Sequence, residues 1–220
     1  GMAAVILGSR SSSDFADVPA GISGGWDGFR GTPELVRKFD FQNNATPKSN
    51  EILDKRGIFY DKNRSIDITT SVTGTFTTEG WSVYKYTNVK SDGQPGSNTT
   101  FPDTDFPLFR LADIYLMYAE AVARGGQGGS MATAVQYVNA LRERAYGDTS
   151  HRVTEAWLLE NDCRNILDER CRELYWEGTR RTDLIRYGLF TSTDYLWTFK
   201  GGVLSGTGVS NRYNVFPIPV

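Results

Sequence analysis

Apolar positions recur at helical spacing over the second half of the chain and at strand or turn spacing over the first. From Asp105-Phe106-Pro107 to Arg124 the residues are apolar almost all round, with one polar line, Arg110, Asp113, Glu120 and Arg124. This predicts a largely buried helix that Gly125 and Gly126 stop. A second helix is predicted from the Ser130 cap to Gly147, with Met131, Ala134, Val135, Val138 and Leu141 as its stripe. Small residues at Ala112, Ala119, Ala134 and Ala140 suit a close antiparallel contact between the two. The hairpin is similar to a tetratricopeptide-type pair, without that repeat's full consensus. A third helix is expected over about 155–177, its apolar stripe being Cys163, Ile166, Leu167, Cys171, Leu174 and Tyr175, with Arg170 inside it. Gly178 breaks it, and a short fourth helix runs from Arg180 to Tyr187.

The first half has a different texture. "PAGISGGWDGFRGTPE" is loop chemistry. A short helix is expected from the Thr32 cap, with Pro33 at its first position, through Phe39. "RSIDITTSV" and "GWSVYKYTNV" are rich in β-branched and aromatic residues and are expected strands. "KSDGQPGSNTTFPD" reads as an exposed loop. The expected fold is therefore mostly α: tetratricopeptide-like helical hairpins packed against an irregular, loop-rich lobe with a few short β-strands. One domain over 1–220 is expected, divided into a loop-rich lobe (1–104), a helical hairpin (105–148), a helix pair (149–190) and an irregular tail (191–220).

Composition narrows the function classes. The 220 residues hold 24 basic and 26 acidic side chains, a net charge of −2, so a phosphate-backbone partner is not expected. The two cysteines lie eight residues apart on one expected helix, roughly 12 Å at 1.5 Å rise per residue, too far for a disulfide. The single histidine, His151, sits in a polar turn, and no nucleophile elbow or zinc-ligand cluster accompanies it. The apolar run Ala3–Leu7 is too short for a membrane span. No metal site, cofactor or catalytic residue is expected.

The charged stretch "ILDERCRELYWEGTRRTDLIRYG" poses the question of catalysis. Glu169 and Glu173 lie one helical turn apart, near the spacing of a retaining glycosidase pair, about 5 Å. Such a pair needs one carboxyl held protonated. Arg170, Arg172, Arg180 and Arg181 crowd these carboxylates and would keep both ionised. A structural ion network is expected: Arg110, Asp113, Glu120, Glu169, Arg170, Glu173, Glu177, Arg180, Asp183 and Arg186. Glu173 and Glu120 are the nearest expected partners of Arg170.

Four segments taken together, "FPLFRLADIYLMYAEAVAR", "AVQYVNALRERAYG", "ILDERCRELYWEGTRRTDLIRYG" and "FPIP", resemble the C-terminal region of SusD/RagB-type proteins. "GGWDGFRGTPELVRKF", "DKRGIFY" and "GWSVYKYTN" fit the same family more loosely. The resemblance implies a non-catalytic, cell-surface glycan- or nutrient-binding component of an uptake system in the outer membrane. Its implied partners are an oligosaccharide or other nutrient ligand and a TonB-dependent transporter. Membrane association would come only through a lipid anchor, which with the signal segment is not in this chain. It also implies that the charged motif residues serve the scaffold. The motif departs from the family at Arg181-Thr182, where an aromatic pair is usual. Alternatives are a helical-repeat module whose only partner is the transporter, or a glycan-processing enzyme.

Sugars are bound by flat aromatic faces with polar groups around them. The expected ligand-binding residues are Trp26 and Asp27 in the glycine-rich loop, and Trp81, Tyr84 and Tyr86 on the second strand. Period-two alternation would put Tyr84 and Tyr86 on one face and Trp81 on the other. Trp157, Trp176 and Trp197 flank helices and are expected to pack.

Overall fold

A computed structural model describes residues 2–69 and 77–218. Among them are six α-helices and one small antiparallel sheet, so the chain is mostly α with a few short strands. It divides into two compact units: residues 1–37, 58–106 and 184–220 form one, and 38–57 with 107–183 form the other.

In the helical unit, α3 (Leu111–Ala123), α4 (Met131–Tyr146) and α5 (Glu155–Leu174) share one core. Ala112, Leu116 and Ala119 of α3 meet Ala134, Val138 and Leu141 of α4 and Leu158 and Ile166 of α5. The expected stripe of α4 is the buried one, and the Ser130 hydroxyl caps the helix by accepting from Thr133 N at 3.1 Å. Gly147, at φ 85°, ends it. Ala140 is exposed, and the neighbouring Asn139 is buried in its place. Its side chain exchanges two hydrogen bonds with the Val153 backbone, at 3.0 and 2.7 Å.

Two helices differ from the expectation. The first begins at Leu111 rather than near Asp105: the residue before Pro107 favours an extended backbone, and Arg110 is itself extended (φ −150°, ψ 153°). Its outward face carries Leu111, Ile114 and Met117, all exposed, so the apolar run is not buried all round. The third helix is broken. Glu160 leaves helical geometry, and Asn161, Asp162 and Cys163 take left-handed conformations at φ 52°, 54° and 61°. Asn and Asp tolerate that region because their short side chains bond locally. The segment therefore holds two helical stretches, and the span from Cys163 to Cys171 lies along the second. Both cysteines are buried and neither forms a disulfide.

In the other unit, β1 (Arg30–Gly31), β3 (Trp81–Val83) and β2 (Phe59–Tyr60) pair in that spatial order, antiparallel throughout. The helix expected from Thr32 to Phe39 is one turn, α2 (Pro33–Val36). Of "RSIDITTSV", Ser65 forms an isolated bridge with Glu79, and residues 70–72 lie outside the described residues. The second expected strand is reduced to Trp81–Val83. A first helix, α1 (Met2–Ser9), buries Ile6 and Leu7 against Ala20 and Ile22. Beyond Leu189, the Lys200 ammonium is enclosed by the carbonyls of Ser192 (2.5 Å), Tyr195 (2.7 Å) and Leu189 (3.3 Å) and lies 4.5 Å from the centre of the Trp197 ring. The short helix α6 (Arg180–Arg186) follows the Gly178 break.

Candidate functional site

In the helical unit the carboxylates of α5 are bound by arginines from several segments. Glu169, fully buried, receives Arg56 (2.8 Å), Arg142 (2.7 Å) and Arg172 (2.6 Å). Glu173 receives Arg56 (3.0 Å), Arg110 (2.5 Å) and Arg144 (2.7 Å). One nitrogen of Arg56 thus bridges both carboxylates, while the rest of its fork grips Asp54 at 2.9 and 2.6 Å. Arg110 also holds Glu177 at 2.6 Å. Burial pushes the Glu173 carboxyl up, but the bond from Arg110 and the charges of Arg56 and Arg144 outweigh it and leave the pKa near 2. Glu169 is likewise raised by burial and lowered further by Arg172, Arg56 and Arg142, well below the usual carboxylate range. Neither carboxyl can be the protonated acid that glycoside cleavage requires.

Arg170 is buried as expected, but its partners are different ones. It donates to Asp113 at 2.7 Å and Asp183 at 2.9 Å, whereas Glu120 pairs with Arg124 at 3.0 Å. Glu173 is already engaged by three other guanidinium groups. Arg180 donates to the Leu167 carbonyl, and Arg186 lies over the Tyr187 ring. Asp54 and Arg56 were not expected because residues 38–57 look like part of the loop-rich lobe, and Arg142 and Arg144 because they stand on α4, outside the charge spacing of the α5 stretch. His151 stacks on Tyr146 with ring centres 3.8 Å apart.

The expected ligand residues all lie in the other unit, and the structure separates them. Trp26 is 62% exposed. Its loop is pinned from beneath, with Trp26 N donating to Leu7 O (2.8 Å) and Asp27 N to Arg10 O (2.9 Å). Gly25 is required there, since a Cβ would lie 2.2 Å from the Arg10 carbonyl oxygen. Asp27 takes a left-handed backbone (φ 50°) that aims its carboxylate at Arg64, 2.9 Å away.

Trp81 and Tyr84 do not form the expected platform. Trp81 is 2% exposed, and its ring centre lies 6.3 Å from that of Phe59. Tyr84 is buried, stacked on Tyr60 (5.3 Å, 12°) and covered by the Arg10 guanidinium 3.6 Å from its centre. The physical reason is position: β3 is the central strand, buried along its whole length, so alternation leaves no side to solvent. Tyr86 is half-buried against the Ile6 cluster. Among the packing tryptophans, Trp157 lies against the helical core and Trp197 against Phe190.

Tyr60, stacked on Tyr84, instead lines a cleft of about 370 Å³ together with Asp14, Lys62, Asn63, Arg64 and Thr78 and neighbouring hydroxyls. Tyr84 donates to Asp14 at 2.5 Å, and Tyr60 to Asp17 at 2.6 Å. Burial, then these bonds, push both phenols up. The Lys62 ammonium also pairs with Asp17 at 2.6 Å.

The sequence profile of the SusD family matches residues 68–217, more than half of the chain. The chain belongs to the SusD family. It is 48% identical over 143 residues to the starch-binding protein SusD of Bacteroides thetaiotaomicron, a match covering 65% of this chain and 24% of that protein. It is 40% identical over 82 residues to the SusD-like protein P25 of Formosa agariphila, covering 37% of this chain and 15% of that one. The matched SusD segments thus span a quarter or less of the relatives' own lengths. No helix among the described residues is long and apolar enough to cross a membrane.

Proposed function

We propose that this chain is part of a non-catalytic glycan-binding protein, held at the outer face of the outer membrane and serving a TonB-dependent uptake system. Family membership and a starch-binding relative support carbohydrate as the ligand class. The single observation that carries the reading is Trp26: a large, flat, exposed ring on a loop that the backbone bonds to Leu7 and Arg10 hold in place. A preorganised aromatic face loses little freedom on binding, so its contact with the C–H face of a sugar is retained as affinity. Asp27, beside it, ties the loop to Arg64. Glu169 and Glu173, held ionised by the arginines around them, support a binding role over a hydrolytic one.

The test is a glycan array followed by calorimetry on wild type and Trp26→Ala. Binding of an oligosaccharide by the wild type, weakened at least tenfold in the variant with no release of reducing ends, is expected. Binding unchanged by the substitution moves the aromatic face elsewhere. No binding to any glycan favours a module that meets only protein, for which the exposed Leu111, Ile114 and Met117 face of α3 is the candidate surface.

A further inference from the structure

The cleft over the Tyr60–Tyr84 pair was not among the expected sites, and its chemistry differs from that of the Trp26 loop. Its aromatic lining residue, Tyr60, is spent internally: it is buried and stacked on Tyr84. What it offers to solvent is polar. Lys62 is well exposed, and Thr77, Thr78 and Asn63, the last on a left-handed backbone at φ 61°, are exposed. Asp14 accepts from Ser13 (3.0 Å) and Tyr84 (2.5 Å). An ionised carboxylate has about four acceptor positions, so capacity for a ligand hydroxyl remains.

The two cations of the cleft are already engaged by carboxylates. Lys62 is paired with Asp17, and Arg64, itself buried, lies between Asp27 (2.9 Å) and Asp14 (3.9 Å). Asp27 keeps one buried oxygen that accepts no hydrogen bond. An anionic group entering here would meet cations already committed and two carboxylates close by, at a cost in repulsion and desolvation. An uncharged polyol would meet both hydroxyl and amide groups and displace no ion pair. The volume lies at the small end of the range for small-molecule sites, roughly 300–1,000 Å³, fitting a short saccharide unit rather than a long chain.

We propose that this cleft, lined by Asp14, Lys62, Asn63, Arg64 and Thr78, is a hydroxyl-reading subsite for an uncharged saccharide unit. It rests on the glycan-binding reading, and it deepens it: Trp26 supplies the stacking face, one residue from the Asp27 that grips the cleft's Arg64, and the cleft selects against acidic sugars.

The experiment is calorimetry of the full chain with maltoheptaose, cellohexaose, xylohexaose and hexagalacturonate. It compares wild type, Trp26→Ala, and the double variant Asn63→Gly, Thr78→Val. Glycine suits the left-handed backbone at position 63, and the Tm of the double variant is measured alongside so that a loss of binding is compared between folded proteins. Expected is binding of a neutral oligosaccharide, weakened roughly tenfold in the double variant by loss of two hydrogen-bonding groups, with hexagalacturonate weaker than the neutral probe. Neutral binding that the double variant leaves unchanged, while Trp26→Ala loses it, overturns the cleft and leaves the glycan reading standing. Tighter, salt-sensitive binding of hexagalacturonate overturns the uncharged class. If the wild type binds none of the four, the glycan reading fails and the subsite with it.

Discussion

At the scale of single residues, stability in both units depends on buried polar groups whose partners are backbone. Lys200 is the clearest case: its ammonium serves three carbonyls from a loop with little regular structure. Burial lowers its pKa, yet the carbonyl dipoles keep the charge worthwhile. Lys200→Met fills the space but leaves those carbonyls without a donor. It is expected to lower unfolding free energy by about 2–4 kcal/mol in urea titration, and a loss within error of zero would mean water replaces the lysine freely. Asn139 is the helical counterpart, closing the turn before α5 through Val153. Asn139→Ala is expected to cost about 2 kcal/mol, and an unchanged denaturation midpoint would contradict that.

At the scale of elements, the break in α5 shows what pattern reading sees and what it misses. The stripe Cys163, Ile166, Leu167, Cys171 and Leu174 is buried as its spacing requires, because side-chain periodicity records which face meets the core. The interruption at 160–163 leaves that periodicity intact, so the stripe gave no warning of it. The adjacent Asn161-Asp162 pair was the available signal. If the left-handed turn is intrinsic to those residues, Asn161→Val should cost about 1–2 kcal/mol and Asn161→Gly should be neutral or slightly stabilising, read from chemical denaturation. Equal effects of the two substitutions would mean the backbone there is set by its surroundings. The sheet failed for a related reason. Trp81, Tyr84 and Tyr86 alternate like an open-faced strand, but a central strand covered on both sides uses the same residue types. The exposure of Trp26 was legible because a large aromatic among glycines has nothing local to pack on.

At the scale of the whole molecule, the chain order conceals the assembly. Asp54 and Arg56 stand more than a hundred residues from Glu169 and Glu173, yet they complete the ion network, so charge spacing along α5 alone could name the acids but few of their partners. That network sets how the protein responds to acid. Glu173 is depressed from its ordinary value of 4.5 to about 2, and Glu169 is also depressed. A lowered folded-state pKa gives stability that is present above the unfolded value and lost as pH falls through the folded one. Glu173 alone should therefore contribute on the order of 3 kcal/mol at neutral pH, fading between about pH 4.5 and 2. The steep loss should be shallower in Glu173→Gln. At pH 7 that variant should also be less stable by about 3–5 kcal/mol, because Arg56 and Arg110 would keep their charge without its counterpart. Urea unfolding of both proteins across that pH range measures the two slopes. Parallel curves would show that Glu173 titrates alike in the folded and unfolded chain, and that the arginines around it stabilise the fold by packing alone.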